Sequence, residues 1–335
     1  MKNSLTPFFF LILAFGFYAC RTSPSESMET KVVNAFLPSS TGSLTELVLV
    51  LPDRLWTSNV GKITSKYFQA PMQGLPQKES IFNLIDINSS QFSSIFKSHK
   101  NILQLISSDS TYVKINYSTW SKSQLFIRIY YKTEKQLEEL LLSQGVELRN
   151  MFVEKNQDRR IQALQKNRNR SLEEEILKDY NFSFLIPSGF EIVLAEKDFL
   201  WLRRDLSKLN VIANIWVYSQ PYKNENQITK PSLIALRDSI GRKFIKGGRP
   251  GSYMATEMLY DPDLYLVKET PYSIGMKGLW TIENDFLGGG FVSHTILDQE
   301  TNSLVYAEGF LYSPNQKKRQ HILELEAVLS TLELP

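Results

Sequence analysis

Gly290-Phe-Val-Ser-His-Thr-Ile-Leu297, Asp298-Gln-Glu-Thr-Asn302 and Leu304-Val-Tyr-Ala-Glu-Gly-Phe-Leu-Tyr312 together decide how the second half of the chain folds. Two runs rich in β-branched and aromatic residues flank a cluster of polar turn formers, which reads as an antiparallel hairpin. Downstream, Pro314 opens a last helix, whose buried face is Ile322, Leu325, Val328, Leu329 and Leu332. Upstream, Ser232 caps a helix with the apolar stripe Leu233, Leu236, Ile240 and Phe244, and Lys246-Gly-Gly-Arg-Pro-Gly251 ends it. Strands are expected at Phe199–Arg203, Val211–Tyr218, Ser252–Met258, Leu264–Glu269 and Met276–Glu283, after the turn Pro187-Ser-Gly189.

The first half opens with Glu46-Leu-Val-Leu-Val-Leu51, an apolar run with the length of a buried strand. Val60, Ile63 and Tyr67 give a short amphipathic helix. Strands follow over 82–87 and 101–106, and Tyr112–Tyr117 with Gln124–Tyr131 forms a hairpin. Thr133 is an N-cap for a helix marked by Leu137, Leu140 and Leu141. From Gly145 to Tyr180 the pattern is helical and polar, with Arg159, Arg160, Lys166, Arg168 and Arg170 ahead of Glu173-Glu-Glu175 and a break near Ser171. The organisation expected is an N-terminal domain over 45–144, a polar helical connection over 145–180 and a C-terminal domain over 181–335. Both domains read as α+β, with mostly antiparallel sheets covered by helices. The element order of the second resembles a Mog1/PsbP-type α/β/α sandwich, an analogy of fold that carries no function.

Composition narrows the function classes. The 335 residues are 42% hydrophobic and 22% charged, as in an ordinary folded protein. With 38 Lys+Arg against 35 Asp+Glu the net charge is +3, too small to point to nucleic acid. One cysteine allows neither an intrachain disulfide nor a CxxC pair. That cysteine, Cys20, directly follows an uncharged stretch from Leu5 to Ala19 with the length of a signal-peptide core. The arrangement resembles a bacterial lipoprotein signal, which predicts cleavage before Cys20, acylation there and a membrane anchor. Residues 1–19 would be the signal peptide and 20–44 a flexible tether.

The chemistry-bearing residues are sparse. His99, His294 and His321 stand apart, and there is no HExxH, nucleophile elbow or P-loop. His294 inside a strand reads as a hydrogen-bonded sheet residue, and His321 as exposed on the last helix. Asp261 and Asp263 could touch a cation but read as a solvated turn. The basic run from Arg159 to Arg170 reads as a solvated helix face, or as a contact to anionic lipid headgroups. The most unusual stretch runs from Gly278 to Phe291. It either presents Trp280 and Asp285 from a loop freed by Gly288, Gly289 and Gly290, or forms a tight hairpin in which glycine simply fits. No cofactor or metal is implied.

Leu75-Pro-Gln-Lys-Glu-Ser-Ile-Phe82, Gly251-Ser-Tyr-Met-Ala-Thr-Glu257, the stretch Trp280–Asp298 and Glu308-Gly-Phe-Leu-Tyr-Ser-Pro314 resemble domain-of-unknown-function family 4837, predicted lipoproteins of Bacteroidota. The family's pattern has proline after two glycines where this chain has Gly290. The resemblance implies export and lipidation through Cys20, on the periplasmic face of the outer membrane, and carries over no assigned catalytic residue. The function expected is a non-enzymatic binding or assembly module with an envelope partner. The alternative is a periplasmic hydrolase of glycan or lipid, using acids such as Glu283 and Asp285.

Overall fold

The computed structural model describes residues 36–267 and 272–334. Cys20, the expected signal peptide and most of the expected tether lie outside them. Among the described residues no helix is long and apolar enough to cross a membrane.

The fold is mixed α+β, with one sheet of five strands and one of eight. The first unit contains β1 (Glu46–Val50), α1 (Asp53–Trp56), α2 (Asn59–Phe68), β2 (Asn83–Ile87), α3 (Ser94–Lys97), β3 (Asn101–Ser107), β4 (Tyr112–Tyr117) and β5 (Leu125–Tyr131). Their order is β2-β1-β3-β5-β4. Antiparallel pairing dominates across the two sheets, but here β1 pairs in parallel with β2 and β3, β3 pairs in parallel with β5, and the β4–β5 hairpin is antiparallel. The unbroken apolar run of β1 explains the difference. Leu47 and Leu49 face the core beneath α2, whereas Val48 and Val50 face a second cluster with Ile102, Phe126 and Trp120. A strand buried on both faces is typical of a parallel sheet.

The end of the expected tether is laid onto this unit. The Lys122 N–H donates to the Pro38 carbonyl, the Lys100 N–H to Thr41, and the Asn101 amide to the carbonyls of Leu44 and Glu46.

One helix then serves both halves. α4 runs without a break from Glu134 to Lys166, 33 residues or about 50 Å. The Thr133 hydroxyl accepts the Gln136 N–H to start it, and the helix passes straight through Gly145. A short gap precedes α5 (Arg170–Tyr180), whose first turn is capped by the Asn169 side chain. Leu137, Leu141, Leu148 and Phe152 of α4 belong to the first unit's core; Leu164 belongs to the second's.

The second unit contains β6 (Glu191–Glu196), β7 (Phe199–Leu206), β8 (Val211–Pro221), α6 (Lys230–Phe244), β9 (Tyr253–Thr256), β10 (Asp263–Leu266), β11 (Ser273–Glu283), β12 (Gly288–Asp298), β13 (Ser303–Tyr312) and α7 (Arg319–Leu329). Its strands pair antiparallel in the order β10-β11-β12-β13-β8-β7-β6, with β9 against the far end of β11. The residues of α5 and α7 pack on one face with Ile215, Val292 and Ala307, and those of α6 pack on the other with Trp216, Phe291 and Tyr306. This is the α/β/α layering expected. The chain enters α7 later than Pro314, at Arg319.

A buried ion pair ties α6 to the sheet. Arg237 and Glu308 are fully enclosed, and the guanidinium donates to both carboxylate oxygens at 2.9 Å. The Tyr306 hydroxyl donates to Glu308 at 2.9 Å, and Arg237 also donates to Thr256 and stacks over the Phe291 ring. Breaking such a pair strands a charge in the core. Glu308→Ala is therefore expected to lower unfolding free energy by roughly 3–5 kcal/mol in urea titrations.

Candidate functional site

The two units meet along α7. Its N-cap residue, Lys318, makes no side-chain cap, and the cap comes from the other unit. The Glu79 carboxylate accepts the backbone N–H groups of Lys318 (2.6 Å) and Arg319 (3.2 Å). The Arg319 guanidinium donates to the Ser80 carbonyl and the Asn83 side chain, and the Gln320 amide reaches Thr45 at 3.0 Å. From α4, the Gln157 amide donates to the Ser330 hydroxyl at 3.1 Å.

Between the C-terminal half of α4, the segment 70–82, α7 and the β10–β12 edge lies a cleft of about 1280 Å³. Met72, Ile81, Val153, Ile161, Ile296 and Leu323 supply apolar wall. The acids Glu154, Asp158, Asp263, Asp298 and Glu333 line it, and so do Arg160 on α4, Tyr265 on β10, Lys277 on β11, His294 on β12 and Glu326 on α7. Most of the latter five are engaged with one another. The Lys277 ammonium meets Glu326 at 2.7 Å and lies 4.8 Å from the Tyr265 ring centre. The Tyr265 hydroxyl is 3.1 Å from His294 Nε2. Burial lowers the His294 pKa to about 4, against the pull of Glu326, so the ring is neutral at physiological pH. Burial likewise holds the Tyr265 phenol well above its ordinary range.

Arg159 and Arg160 are both buried, which corrects the solvated face expected for them. Both units cover that part of α4, and the exposed members of the run are Lys166 and Arg170. Arg159 is a joint of the first unit: its guanidinium donates to the Ser123 and Lys100 carbonyls and to Asn101 and Asn156. Burial brings the Arg160 pKa down to about 10, with Glu326 and Glu324 opposing and Arg319 adding to the fall. It remains a cation at neutral pH.

The glycine stretch lies elsewhere. Gly288–Gly290 pair within β12 against Leu279–Thr281 of β11. Trp280 is a core side chain, edge-on to Phe310, with its indole N–H donating to the Leu311 carbonyl. Asp285 sits in the turn, accepting the Phe286 N–H and facing Arg249 at 3.8 Å. A Cβ on Gly289 would stand 2.0 Å from the Leu311 carbonyl oxygen, and one on Gly290 would stand 2.4 Å from that of Gly74. Close packing of backbone, at Gly290 against the other unit, is what these positions serve. Asp261 pairs with Lys230 at 2.6 Å, and His321 is half-buried rather than exposed, because α7 is covered by the first unit.

Comparison with known proteins follows the same division. Residues 169–331 match the family described as Domain of unknown function (DUF4837). They belong to it. Residues 40–165 match Domain of unknown function (DUF8532). The motifs at 251–257, 280–298 and 308–314 thus fall in the DUF4837 domain, whereas Leu75–Phe82 falls in the DUF8532 match. No curated protein matches the chain. Among solved structures, a mutant of protein Mog1 is similar at 11% identity and TM-score 0.29, covering 46% of this chain and 90% of that one. The human StarD13 (DLC2) lipid transfer and protein localization domain is similar at 7% identity and TM-score 0.23, covering 48% and 95%.

The cleft joins the DUF4837 domain to the DUF8532 region, so its residues come from both. Arg160 stood in a basic run whose sequence gave no sign of burial. Tyr265, Lys277 and Glu326 have no spacing signature, because strands and a helix bring them together only in space.

Two outcomes follow. Glu79→Ala removes the cap of a helix in the other unit, costing about 0.5–2 kcal/mol, and hydrogen exchange at Arg319–Ile322 should quicken. For His294 the unfolded ring binds a proton near 6.5 and the folded ring near 4, so acid favours unfolding between those values. Wild-type stability should therefore fall by about 3 kcal/mol more than that of His294→Gln as pH drops through that window. His321, whose pKa burial also lowers, adds a slope of the same sign to both proteins and cancels in the difference.

Proposed function

We propose that this protein is a lipid-anchored component of the cell envelope, held through Cys20 at the periplasmic side of the outer membrane, and that it binds a ligand or partner without transforming it. The observation that carries the binding role is the cleft between the units. It is large, and it combines a stretch of apolar wall with convergent polar and charged groups, as ligand sites do. The anchoring rests on the sequence before Cys20 and on the resemblance to predicted lipoproteins.

The placement of acids favours binding over hydrolysis. Glu283 is exposed, and Asp285 is engaged in a hairpin turn away from the cleft. Of the acids that line the cleft, Glu326 is neutralised by Lys277, Asp158 faces Lys155 at 3.6 Å, and Asp298 accepts the Thr301 N–H within its own turn. Burial raises the Glu308 carboxyl above its ordinary range, with Arg237 opposing, but Glu308 is enclosed between α6 and the sheet.

Intact mass of membrane-extracted protein tests the address, and a native mass spectrum of the same sample tests the binding. A chain beginning at Cys20 with acyl groups, left unprocessed in Cys20→Ala, and a bound species lost on denaturation are expected. A free Cys20 thiol would remove the anchor. Cleavage of envelope glycan or lipid by the purified protein would replace binding with catalysis.

A further inference from the structure

Arg160 is the one cleft cation described above that the surrounding side chains leave unpaired. It retains 9% of its surface, yet among the described residues it makes no hydrogen bond and no ion pair. Its guanidinium nitrogens are not sealed into the protein, unlike Nε of Arg128, Arg168, Arg204 and Arg319, so they open onto the cleft that the residue lines. The two acids that act on its charge, Glu326 and Glu324, are already committed. Glu326 holds Lys277 at 2.7 Å, and Glu324 holds both terminal nitrogens of Arg204, at 3.1 and 2.9 Å. Arg319 adds a further positive charge nearby.

The adjacent Arg159 shows how this fold settles a structural arginine: four groups accept from it. Arg160, next in the chain and as deeply placed, has none. An enclosed cation without a partner is costly to the free protein, and a ligand oxyanion would supply short, charge-assisted hydrogen bonds. On the same helix face, Arg149 also lines the cleft, bonded among the described residues only to its neighbour Asn150, and Val153 lies between the two arginines. Elsewhere Met72, Ile81, Ile161, Ile296 and Leu323 supply apolar wall, alongside further polar side chains. A volume of about 1280 Å³ exceeds the usual range of roughly 300–1000 Å³ for small-molecule pockets, more room than a bare anion needs.

We propose that the cleft binds a single-chain amphipathic anion, an acyl chain ending in a carboxylate or phosphate, with the head on Arg160 and the chain along Met72, Val153, Ile161 and Leu323. This rests on the cleft being the binding site and names the chemistry of its ligand.

The test uses the full chain carrying Cys20→Ala, which has no acyl groups of its own, with the fluorescent fatty acid cis-parinarate as probe. Saturable binding is expected, displaced by palmitate and by lysophosphatidate. Arg160→Gln should weaken it about tenfold or more, and Arg160→Lys should recover part of the loss. Equal displacement by hexadecanol, or unchanged binding in Arg160→Gln, would overturn the role of the head. Displacement by inorganic phosphate at the concentration effective for lysophosphatidate would overturn the role of the chain.

A second readout is independent of any ligand. Arg160→Met should raise the thermal midpoint of the free protein by about 2–4 °C, because an unpaired buried charge is removed. A fall of that size would make Arg160 a structural cation and end the proposal. If wild type fails to bind parinarate while native spectra show another bound species, this inference falls and the binding role stands.

Discussion

Glu79 belongs to the first unit, yet its carboxylate caps the last helix of the second by accepting the Lys318 and Arg319 N–H groups. The first amides of a helix have no partner within it, and a partial positive charge gathers there. A carboxylate answers both needs, so α7 is complete only when the two units are docked. The position of α7 in turn fixes Glu326, and with it Lys277. Glu79 also lies in the segment 70–82 that forms one wall of the cleft. Much of the candidate site therefore depends on a hydrogen-bonded contact that belongs to neither unit alone.

α4 enforces the same constraint mechanically. A helix of 33 residues whose leucines enter two cores cannot act as a hinge unless it breaks. The break falls after Lys166, beyond Arg149, Val153 and Arg160, so the cleft wall is one rigid stripe. Gly290 completes the docking from the sheet side by letting the Gly74 carbonyl lie against β12.

Three enclosed arginines meet three different fates. Arg237 is matched by Glu308 in a bidentate pair that holds α6 to the sheet. Arg159 spreads its charge over carbonyl and amide oxygens and holds together the first unit. Arg160 is left open to the cleft. The first two are solved within the fold, and the third is solved by whatever enters.

Much of the fold was legible because burial writes itself into periodicity. The stripe on α6, the hairpin around Asp298–Asn302 and the buried face of α7 are spacings of 3.6 and 2 residues, and the α+β class with its covered second sheet followed from them. The first sheet was only half legible. The run Leu47–Val50 announced burial on both faces, but nothing local to a strand says whether its neighbour runs parallel. α4 blurred its own extent, because a helix gripped on different faces by two cores shows no single apolar stripe. The site was least legible. Its residues lie on α4, β10, β11, β12 and α7, and an arginine reads the same in sequence whether it faces water or an enclosed cleft. The sequence by itself determined most of the elements and the cores, because these depend on short-range pattern. Tertiary structure alone decided which arginine is paired and which is free, because pairing depends on which distant carboxylates come within a few ångströms and which of them another cation has already taken.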